Sequence, residues 1–238
     1  MIASLNNKLA IVTGGSRGIG MAIASKLAEL GAEVVITARK LDDLQKAGDH
    51  IGRQGGKCQG VRCDVSSLAD IEGLANKLAP RLNKLGILVN NAGVGGFSAP
   101  LHETDPATWD SIFNTNLRGV YYMMRQFAPT LIANGGGDII NISSLAGKNA
   151  LPNGAAYAAS KWGLNGLSYS TAEELRGHKV RVTVICPGSV NTELSPHEGK
   201  NVSKMLQSTD VAHVVAMVVT QAPQSFASEI LLRPAQKP

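Results

Sequence analysis

Short apolar runs alternate with longer segments of helical periodicity along the whole chain. The short runs, predicted as strands, cover about 9–13, 33–37, 60–63, 86–90, 138–142, 180–185 and 229–232. The longer segments, predicted as helices, cover about 18–30, 41–52, 68–82, 106–133, 155–176 and 209–220. Apolar strands separated by helices form a parallel sheet that is covered on both faces. We therefore expect one α/β domain over residues 1–238, doubly wound around seven parallel strands.

The composition excludes several classes of function. Hydrophobic residues make up 44% of the 238 residues and charged residues 17%, a balance that predicts a folded core rather than disorder. The net charge of +5 is spread along the chain and aromatic residues are few (4%), so we expect no nucleic-acid partner. The longest apolar run, 211–219, is too short to span a bilayer. We expect no membrane partner either.

The cysteines and histidines point to a reducing compartment and to no metal. Cys58, Cys63 and Cys186 show no CxxC spacing, and an odd count favours free thiols. The first eight residues lack the basic and apolar regions of a secretion signal. No metal-ligand spacing relates the five histidines, His50, His102, His178, His197 and His213. These features predict a cytoplasmic protein without a metal site.

A glycine-rich turn, Thr-Gly-Gly-Ser-Arg-Gly-Ile-Gly, follows the first predicted strand at positions 13–20. Its glycines permit a tight turn and a close approach of the backbone to a pyrophosphate, and the helix that follows offers free N–H groups to the anion. We therefore expect a dinucleotide here. The residues assigned to it in this turn are Gly14, Ser16, Arg17, Gly18, Ile19 and Gly20.

The end of the second predicted strand indicates which dinucleotide binds. A cofactor without a 2′-phosphate is held at this position by Asp or Glu, but this strand ends in Ala38-Arg39-Lys40. A guanidinium can bind a phosphate through two hydrogen bonds, and Arg17 is a candidate second cation. The cofactor predicted from these charges is NADP(H).

The next two strands also end in residues that suit a nucleotide. Asp64, followed by Val65, can present its carboxylate to an adenine amino group. Asn91, Ala92 and Gly93 are small enough for their backbone to lie against a ribose. We assign all five to the cofactor site.

A candidate catalytic group lies on and around the predicted helix 155–176. Tyr157 and Lys161 are four residues apart and so share one helix face, where the ammonium is expected to lower the pKa of the phenol. Ser144 follows a buried strand and could donate a hydrogen bond to a substrate carbonyl oxygen. Asn116, in the middle of a helix, could position a water molecule beside Lys161.

Taken together, these motifs resemble those of the short-chain dehydrogenase/reductase family over the whole chain. The matching motifs, in the family's order, are Thr-Gly-x-x-x-Gly-x-Gly at 13–20, Asn-Asn-Ala-Gly at 90–93, Asn116, Ser144, Tyr157-x-x-x-Lys161 and Pro187-Gly188. The resemblance implies hydride transfer between a nicotinamide and a carbonyl carbon, with Tyr157 as acid or base. It implies that Lys161 holds the nicotinamide ribose and that Asn116 supports a proton-relay water.

The resemblance has further implications for cofactor and assembly. After Pro187 and Gly188, Val190 and Thr192 match positions that hold the nicotinamide carboxamide, while Arg17 and Arg39 match NADP-preferring members. Family members commonly form tetramers through two long helices and the C-terminal strand. We therefore expect a homotetramer or a homodimer.

The substrate is less closely defined. The motifs are most similar to those of 3-oxoacyl-acyl-carrier-protein reductases, but residues 134–138 lack the basic charge those enzymes often carry, and residues 228–234 replace their usual ending. A short polar lid, about 193–207, would leave the pocket open to ketones, aldehydes or 3-oxoacyl compounds. Two alternatives stay open: an NADP-linked alcohol or 3-hydroxy acid dehydrogenase working mainly in oxidation, and a non-catalytic NADPH sensor, against which the intact catalytic set argues.

Overall fold

The computed structural model describes residues 4–95, 99–195 and 199–238. Within them lies a parallel sheet of seven strands in the order β3-β2-β1-β4-β5-β6-β7. The strands are β1 (Leu9–Thr13), β2 (Glu33–Ala38), β3 (Lys57–Arg62), β4 (Leu85–Asn90), β5 (Gly137–Ile142), β6 (Val180–Pro187) and β7 (Glu229–Leu232). The helices are α1 (Gly18–Glu29), α2 (Leu41–Arg53), α3 (Leu68–Leu78), α4 (Pro106–Phe113), α5 (Gly119–Ala133), α6 (Ala155–Arg176) and α7 (Ser208–Val219). The predicted doubly wound α/β fold, a single domain, is confirmed.

The sheet separates two hydrophobic clusters, one on each face. In β1, Ala10 and Val12 pack in the cluster that includes residues of α1, α2 and α7, whereas Leu9 and Ile11 pack in the cluster that includes residues of α3, α5 and α6. Successive side chains of a strand point to opposite faces, so a strand buried on both faces is apolar throughout. This is why the strands appear in the sequence as short continuous apolar runs.

The strand order reverses direction at β1. From β1 the chain proceeds outwards through β2 and β3, then returns to place β4 on the other side of β1. In open parallel sheets, ligands bind at the carboxyl ends of the strands beside such a reversal. The loops after β1, β4, β5 and β6 therefore surround the expected site.

Strand β3 begins earlier than predicted. The sequence suggested 60–63, but β3 pairs with β2 from Lys57 to Arg62. The first half of β3 lacks the continuous apolar run by which the other strands were predicted, because it contains the polar residues Lys57 and Gln59. These side chains are exposed, since β3 lies at the edge of the sheet. Cys63 lies just beyond the strand, although its N–H still donates to the Ala38 carbonyl at 3.0 Å.

Two predicted helices are interrupted. The helix predicted over 68–82 ends at Leu78 and continues as a 3₁₀ turn over Ala79–Lys84, since Pro80 has no N–H and its ring clashes with the carbonyl four residues earlier in an α-helix. The helix predicted over 106–133 contains a π-helical segment, Asn114–Arg118, between α4 and α5. In the described part of the chain, no helix combines the length and apolar character needed to cross a membrane.

Candidate active site

The glycine turn after β1 is closely packed. Gly14 and Gly18 have positive φ angles of 64° and 54°. A Cβ atom on Gly20 would lie 2.2 Å from the Gly14 carbonyl oxygen, so helix α1 starts in direct contact with the turn. No side chain caps the N-terminus of α1, and its first turn holds no acidic residue. The backbone geometry of the turn therefore fits a pyrophosphate, and the binding of a dinucleotide by these residues stays a prediction.

Thr13 joins this turn to the end of β4. Its hydroxyl oxygen accepts hydrogen bonds from the N–H groups of Asn91 and Ala92, both at 3.0 Å. The Asn91 amide donates to the carbonyls of Thr13 and Gly14, at 3.0 and 3.2 Å. A Cβ atom on Gly14 would lie only 2.9 Å from the Ala92 Cα. The predicted nucleotide residues after β1 and β4 thus form one connected surface, and the Asn91 side chain braces it.

Arg17 and Arg39, the two arginines predicted to bind the 2′-phosphate, lie at the exposed side of this surface. Arg39 directly follows β2, and Arg17 forms an ion pair with Glu193 from the loop after β6. Burial raises the pKa of Asp64, but hydrogen bonds from Ser66 and the charges of Arg39 and Arg62 outweigh it, so the pKa lies below its ordinary value. Asp64 is therefore a carboxylate at neutral pH.

Tyr157, Lys161 and Ser144 converge at the carboxyl end of β5. Tyr157 and Lys161 occupy one buried face of α6, with the Lys161 Nζ 5.7 Å from the Tyr157 ring centroid. The Lys161 ammonium donates to the Ile142 carbonyl at 2.9 Å, two residues before Ser144. The Ser144 hydroxyl oxygen accepts from the Ala146 N–H at 3.1 Å and is hydrogen-bonded to Tyr157. The structure thus brings these three predicted residues together.

The protonation of the pair differs from the expectation. Burial raises the pKa of Tyr157, and the hydrogen bond with Ser144 opposes that rise only in part. The shift is opposite to the lowering expected from a neighbouring ammonium. Burial also lowers the pKa of Lys161 to about 8. Both shifts follow from removing a charge from water, and they leave Tyr157 as a neutral proton donor near neutral pH.

Asn116 lies in the π-helical segment and is fully buried. Its amide oxygen accepts from the Val94 N–H at 2.8 Å, and its amide nitrogen donates to the Val94 carbonyl at 3.0 Å and to the Ser160 hydroxyl at 3.2 Å. A Cβ atom on Gly93 would lie 3.3 Å from the Asn116 oxygen and 4.0 Å from the Lys161 Nζ. Asn116 therefore fixes the loop after β4 beside the ammonium; its positioning of a water stays a prediction.

The loop after β6 closes the surface opposite β4. Val190 is buried and forms a parallel β-bridge with Leu206. The Leu206 N–H donates to the Ser189 carbonyl at 3.0 Å, and the Asn191 N–H donates to the Leu206 carbonyl at 2.8 Å. Thr192 lies beside the glycine turn, with its Cγ2 3.5 Å from the position of a Cβ on Gly18. The Gly188 N–H donates to the Leu232 carbonyl at 2.8 Å. Of the predicted lid, 196–198 lie outside the described residues.

Comparison with known proteins identifies the family. The sequence model of the family described as short chain dehydrogenase matches residues 8–203. The chain belongs to the short-chain dehydrogenase/reductase family. It is accordingly an oxidoreductase that acts on a small-molecule substrate.

Relatives cover nearly all of the chain. A metagenomic short-chain oxidoreductase, solved in complex with NADP, is 49% identical over 98% of this chain and 99% of its own, with a TM-score of 0.87. A putative NAD(P)-dependent gluconate 5-dehydrogenase from Beutenbergia cavernae, solved with NADP at low occupancy, is 28% identical over 98% and 97%, with a TM-score of 0.89. D-threitol dehydrogenase of Mycolicibacterium smegmatis is 37% identical over 80% of this chain and 73% of its own.

Sequence reasoning missed two residues of the site. Thr13 belongs to the predicted strand and to the motif at 13–20, but the sequence assigns no role to its hydroxyl, which joins the two nucleotide loops. Asn165 was passed over, although it is buried on α6 and bonded to the turn after Ser144. A signal existed for Asn165: it follows Lys161 by four residues, so the two share a helix face. In the described part of the chain, which excludes His197, no group of His, Cys, Asp and Glu side chains is arranged to hold a metal ion.

Proposed function

We propose that this short-chain dehydrogenase/reductase is an NADPH-dependent carbonyl reductase acting on a ketone, an aldehyde or a 3-oxoacyl compound. The observation that supports this best is the buried Tyr157 phenol, hydrogen-bonded to Ser144 and one helical turn from Lys161. A carbonyl oxygen that replaced this mutual bond would meet two hydroxyl donors. Two donors aimed at an oxygen that gains negative charge stabilise the transition state of carbonyl reduction.

The cofactor site supports NADPH in particular. Arg17 and Arg39 supply positive charge where a 2′-phosphate would lie, and two relatives were solved with NADP. The turn residues Gly14, Ser16, Gly18, Ile19 and Gly20 would hold the pyrophosphate. Asp64 and Val65 would contact the adenine, and Asn91, Ala92 and Gly93 a ribose. The nicotinamide end would be held by Tyr157, Lys161, Pro187, Gly188, Val190 and Thr192.

When bound, NADPH supplies a hydride to the carbonyl carbon. Ser144 and Tyr157 orient the carbonyl oxygen, and Tyr157 gives it the phenolic proton, so that hydride and proton together form the alcohol. The Lys161 ammonium returns a proton to the phenolate, a step favoured by its pKa of about 8. Asn116 holds the loop beside this ammonium, where a water could connect it to solvent.

The direction of the reaction has one competing candidate. The alternative is NADP-linked oxidation of an alcohol or a 3-hydroxy acid, and the 37% identical relative named D-threitol dehydrogenase supports the alcohol. In oxidation Tyr157 must accept a proton as phenolate, and burial raises the pKa of this phenol. Reduction needs the neutral phenol that is abundant at neutral pH. The protonation of Tyr157 therefore favours reduction.

We further propose that the chain assembles as a homotetramer or homodimer in the cytoplasm. Large apolar side chains remain exposed where this family forms its interfaces: Tyr121 on α5, Trp162 on α6 and Leu231 on β7 are 47%, 54% and 46% exposed. Burying them against a second copy would stabilise the assembly. Sedimentation at micromolar concentration tests this, and a monomer there would contradict it.

The decisive experiment is a substrate panel followed by nicotinamide absorbance. The reductive arms are an acetoacetyl thioester, the same acyl group on carrier protein, and small ketones and aldehydes with NADPH; the oxidative arms are D-threitol and the matched alcohols with NADP⁺. We expect faster turnover in the reductive arms. A preference for the carrier-bound thioester would assign a 3-oxoacyl reductase despite the uncharged 134–137 segment. Faster oxidation would favour the dehydrogenase, and binding of NADPH without turnover in any arm would favour the sensor.

A further inference from the structure

The turn that presents Ser144 rests directly on helix α6. It is a short 3₁₀ turn, Leu145–Gly147, closed by a hydrogen bond from the Gly147 N–H to the Ser144 carbonyl at 2.9 Å. A Cβ atom on Gly147 would lie 2.8 Å from the Lys161 carbonyl oxygen and 2.7 Å from the Asn165 amide nitrogen. The backbone of the turn therefore contacts the helix at the level of Lys161 and Asn165.

Asn165 bonds this turn to the helix. Its amide nitrogen donates to the Gly147 carbonyl at 2.9 Å, and its amide oxygen faces the Cys186 thiol, with the sulfur 3.8 Å away. The side chain is almost completely buried. Among the described residues, no other side chain from outside the turn donates a hydrogen bond to the backbone of Leu145–Gly147. One amide thus connects α6, the serine turn and the end of β6.

We propose that Asn165 is a positioning residue that sets the distance between the Ser144 and Tyr157 hydroxyls. The inference rests on the proposed carbonyl reduction, in which both hydroxyls must bind one oxygen. Tyr157 is fixed to α6, whereas Ser144 belongs to the turn. The position of one hydroxyl relative to the other therefore depends on how the turn is held against the helix.

Apart from the Ser144–Tyr157 hydrogen bond itself, the hydrogen bonds between β5 and α6 are formed before Ser144. The Lys161 ammonium and the Ser143 hydroxyl bond β5 to α6, through the Ile142 and Lys161 carbonyls. Both contacts lie before Ser144 in the chain. Asn165 holds the far end of the turn, so that Ser144 lies between two attachment points. Without the amide, the buried Gly147 carbonyl loses its donor, and this end of the turn keeps its attachment to α6 through the half-exposed side chain of Lys148, which donates to the Tyr169 hydroxyl.

The test replaces Asn165 by Ala and, as a second variant of similar volume without polar atoms, by Leu. We expect kcat to fall about 10- to 100-fold, because a misplacement of about 1 Å has such an effect on turnover. The dissociation constant of NADPH, measured by fluorescence, should change less than about two-fold, since the Asn165 side chain bonds to Gly147 and Cys186, neither of which is a predicted nucleotide residue.

The matched control is Ser168→Ala. Ser168 lies on the same buried face of α6 and accepts a hydrogen bond from Asn141 at 2.9 Å, away from the serine turn. We expect this variant to lose thermal stability but to keep kcat within about two-fold of the wild type. An equal fall of kcat in Ser168→Ala and the Asn165 variants would overturn the proposal, because any loosening of α6 would then suffice.

A double-mutant cycle with Ser144→Ala separates positioning from general damage. If Asn165 acts through Ser144, adding Asn165→Ala or Asn165→Leu to Ser144→Ala lowers kcat by less than about two-fold further. Fully additive losses would overturn the proposal. Tyr157→Phe and Ser144→Ala serve as the internal check on the reaction itself. If both of these lose turnover while the Asn165 variants do not, only the positioning role fails; if both retain turnover, the proposed reaction fails and the positioning role with it.

Discussion

The two halves of the candidate site are built in opposite ways. Around β5 and α6, the groups proposed for catalysis are buried, and Lys161, Asn116 and Asn165 bond to backbone carbonyls. At the phosphate end, Arg17 and its partner Glu193 are 69% and 72% exposed. Buried polar groups are costly to leave unpaired, whereas exposed ion pairs contribute at most about 1 kcal/mol. The buried groups around β5 and α6, which we call the catalytic half, are therefore held in place by their hydrogen bonds. In the exposed part around Arg17 and Arg39, which we call the phosphate half, Arg17 can exchange Glu193 for another anion.

Replacing Tyr157 by Phe should produce the largest effect and tests the catalytic half alone. The change removes the proton donor while keeping the ring, so we expect kcat to fall about 1,000-fold. NADPH affinity should change little, because the charged contacts of the phosphate half remain. The control is Tyr169→Phe, a half-exposed tyrosine on the same helix. Near-normal turnover in Tyr157→Phe would contradict the assignment of the acid.

The buried Lys161 makes a prediction about stability and pH. Its pKa is about 8 in the fold against 10.5 when unfolded, so between these values the unfolded chain binds a proton that the folded chain does not. The contribution of Lys161 to the free energy of unfolding must therefore rise with pH in this window, by up to about 3 kcal/mol.

The measurement is urea unfolding of the wild type and of Lys161→Met across this pH window. The two differ in the titration of Lys161, and also in its effect on its neighbours Tyr157 and Cys186. We expect the unfolding free energy of the wild type minus that of the variant to increase from pH 8 to pH 10.5. A flat or falling difference would mean that the ammonium is not destabilised by burial, and the contrast between the two halves would weaken.

A second contrast, between local sequence patterns and long-range contacts, explains what the sequence could and could not predict in both halves. The sheet, the glycine turn and the Tyr157–Lys161 pair depend on local patterns, namely apolar runs, glycine spacing and a helical interval of four. The Asn116 side chain, in the π-helical segment, is bonded to Val94, 22 positions away, and the Asn165 side chain is bonded to a turn 18 positions away. Arg17 and Glu193 are separated by 176 positions. Such contacts exist only once the strands are assembled, so no local pattern reports them.

Changing Arg39 to Asp sharpens the comparison at the phosphate half. The substitution replaces a cation by an anion where the 2′-phosphate is expected, so we expect NADPH affinity to fall about 10- to 100-fold while NADH affinity changes little. The control, Lys40→Asp, makes the same charge change at the next residue, which is also exposed. Fluorescence titration with both cofactors measures the ratio of the NADPH and NADH dissociation constants in each variant. Equal losses for NADPH and NADH in Arg39→Asp would mean that Arg39 is structural.

The smallest expected effect belongs to the Arg17–Glu193 ion pair. Glu193 occupies the guanidinium that is proposed to bind the 2′-phosphate, so the two anions compete for Arg17. Glu193→Gln should strengthen NADPH binding about two- to five-fold and NADH binding less, the range expected for an exposed pair. In a double variant, Arg17→Ala should abolish the gain in NADPH affinity produced by Glu193→Gln. The control, Glu29→Gln, makes an equal charge change on α1 beside Lys26 and should not produce that gain. An equal gain for both cofactors would instead assign the effect to general repulsion between Glu193 and the pyrophosphate, and the phosphate half would then owe its selectivity to Arg39.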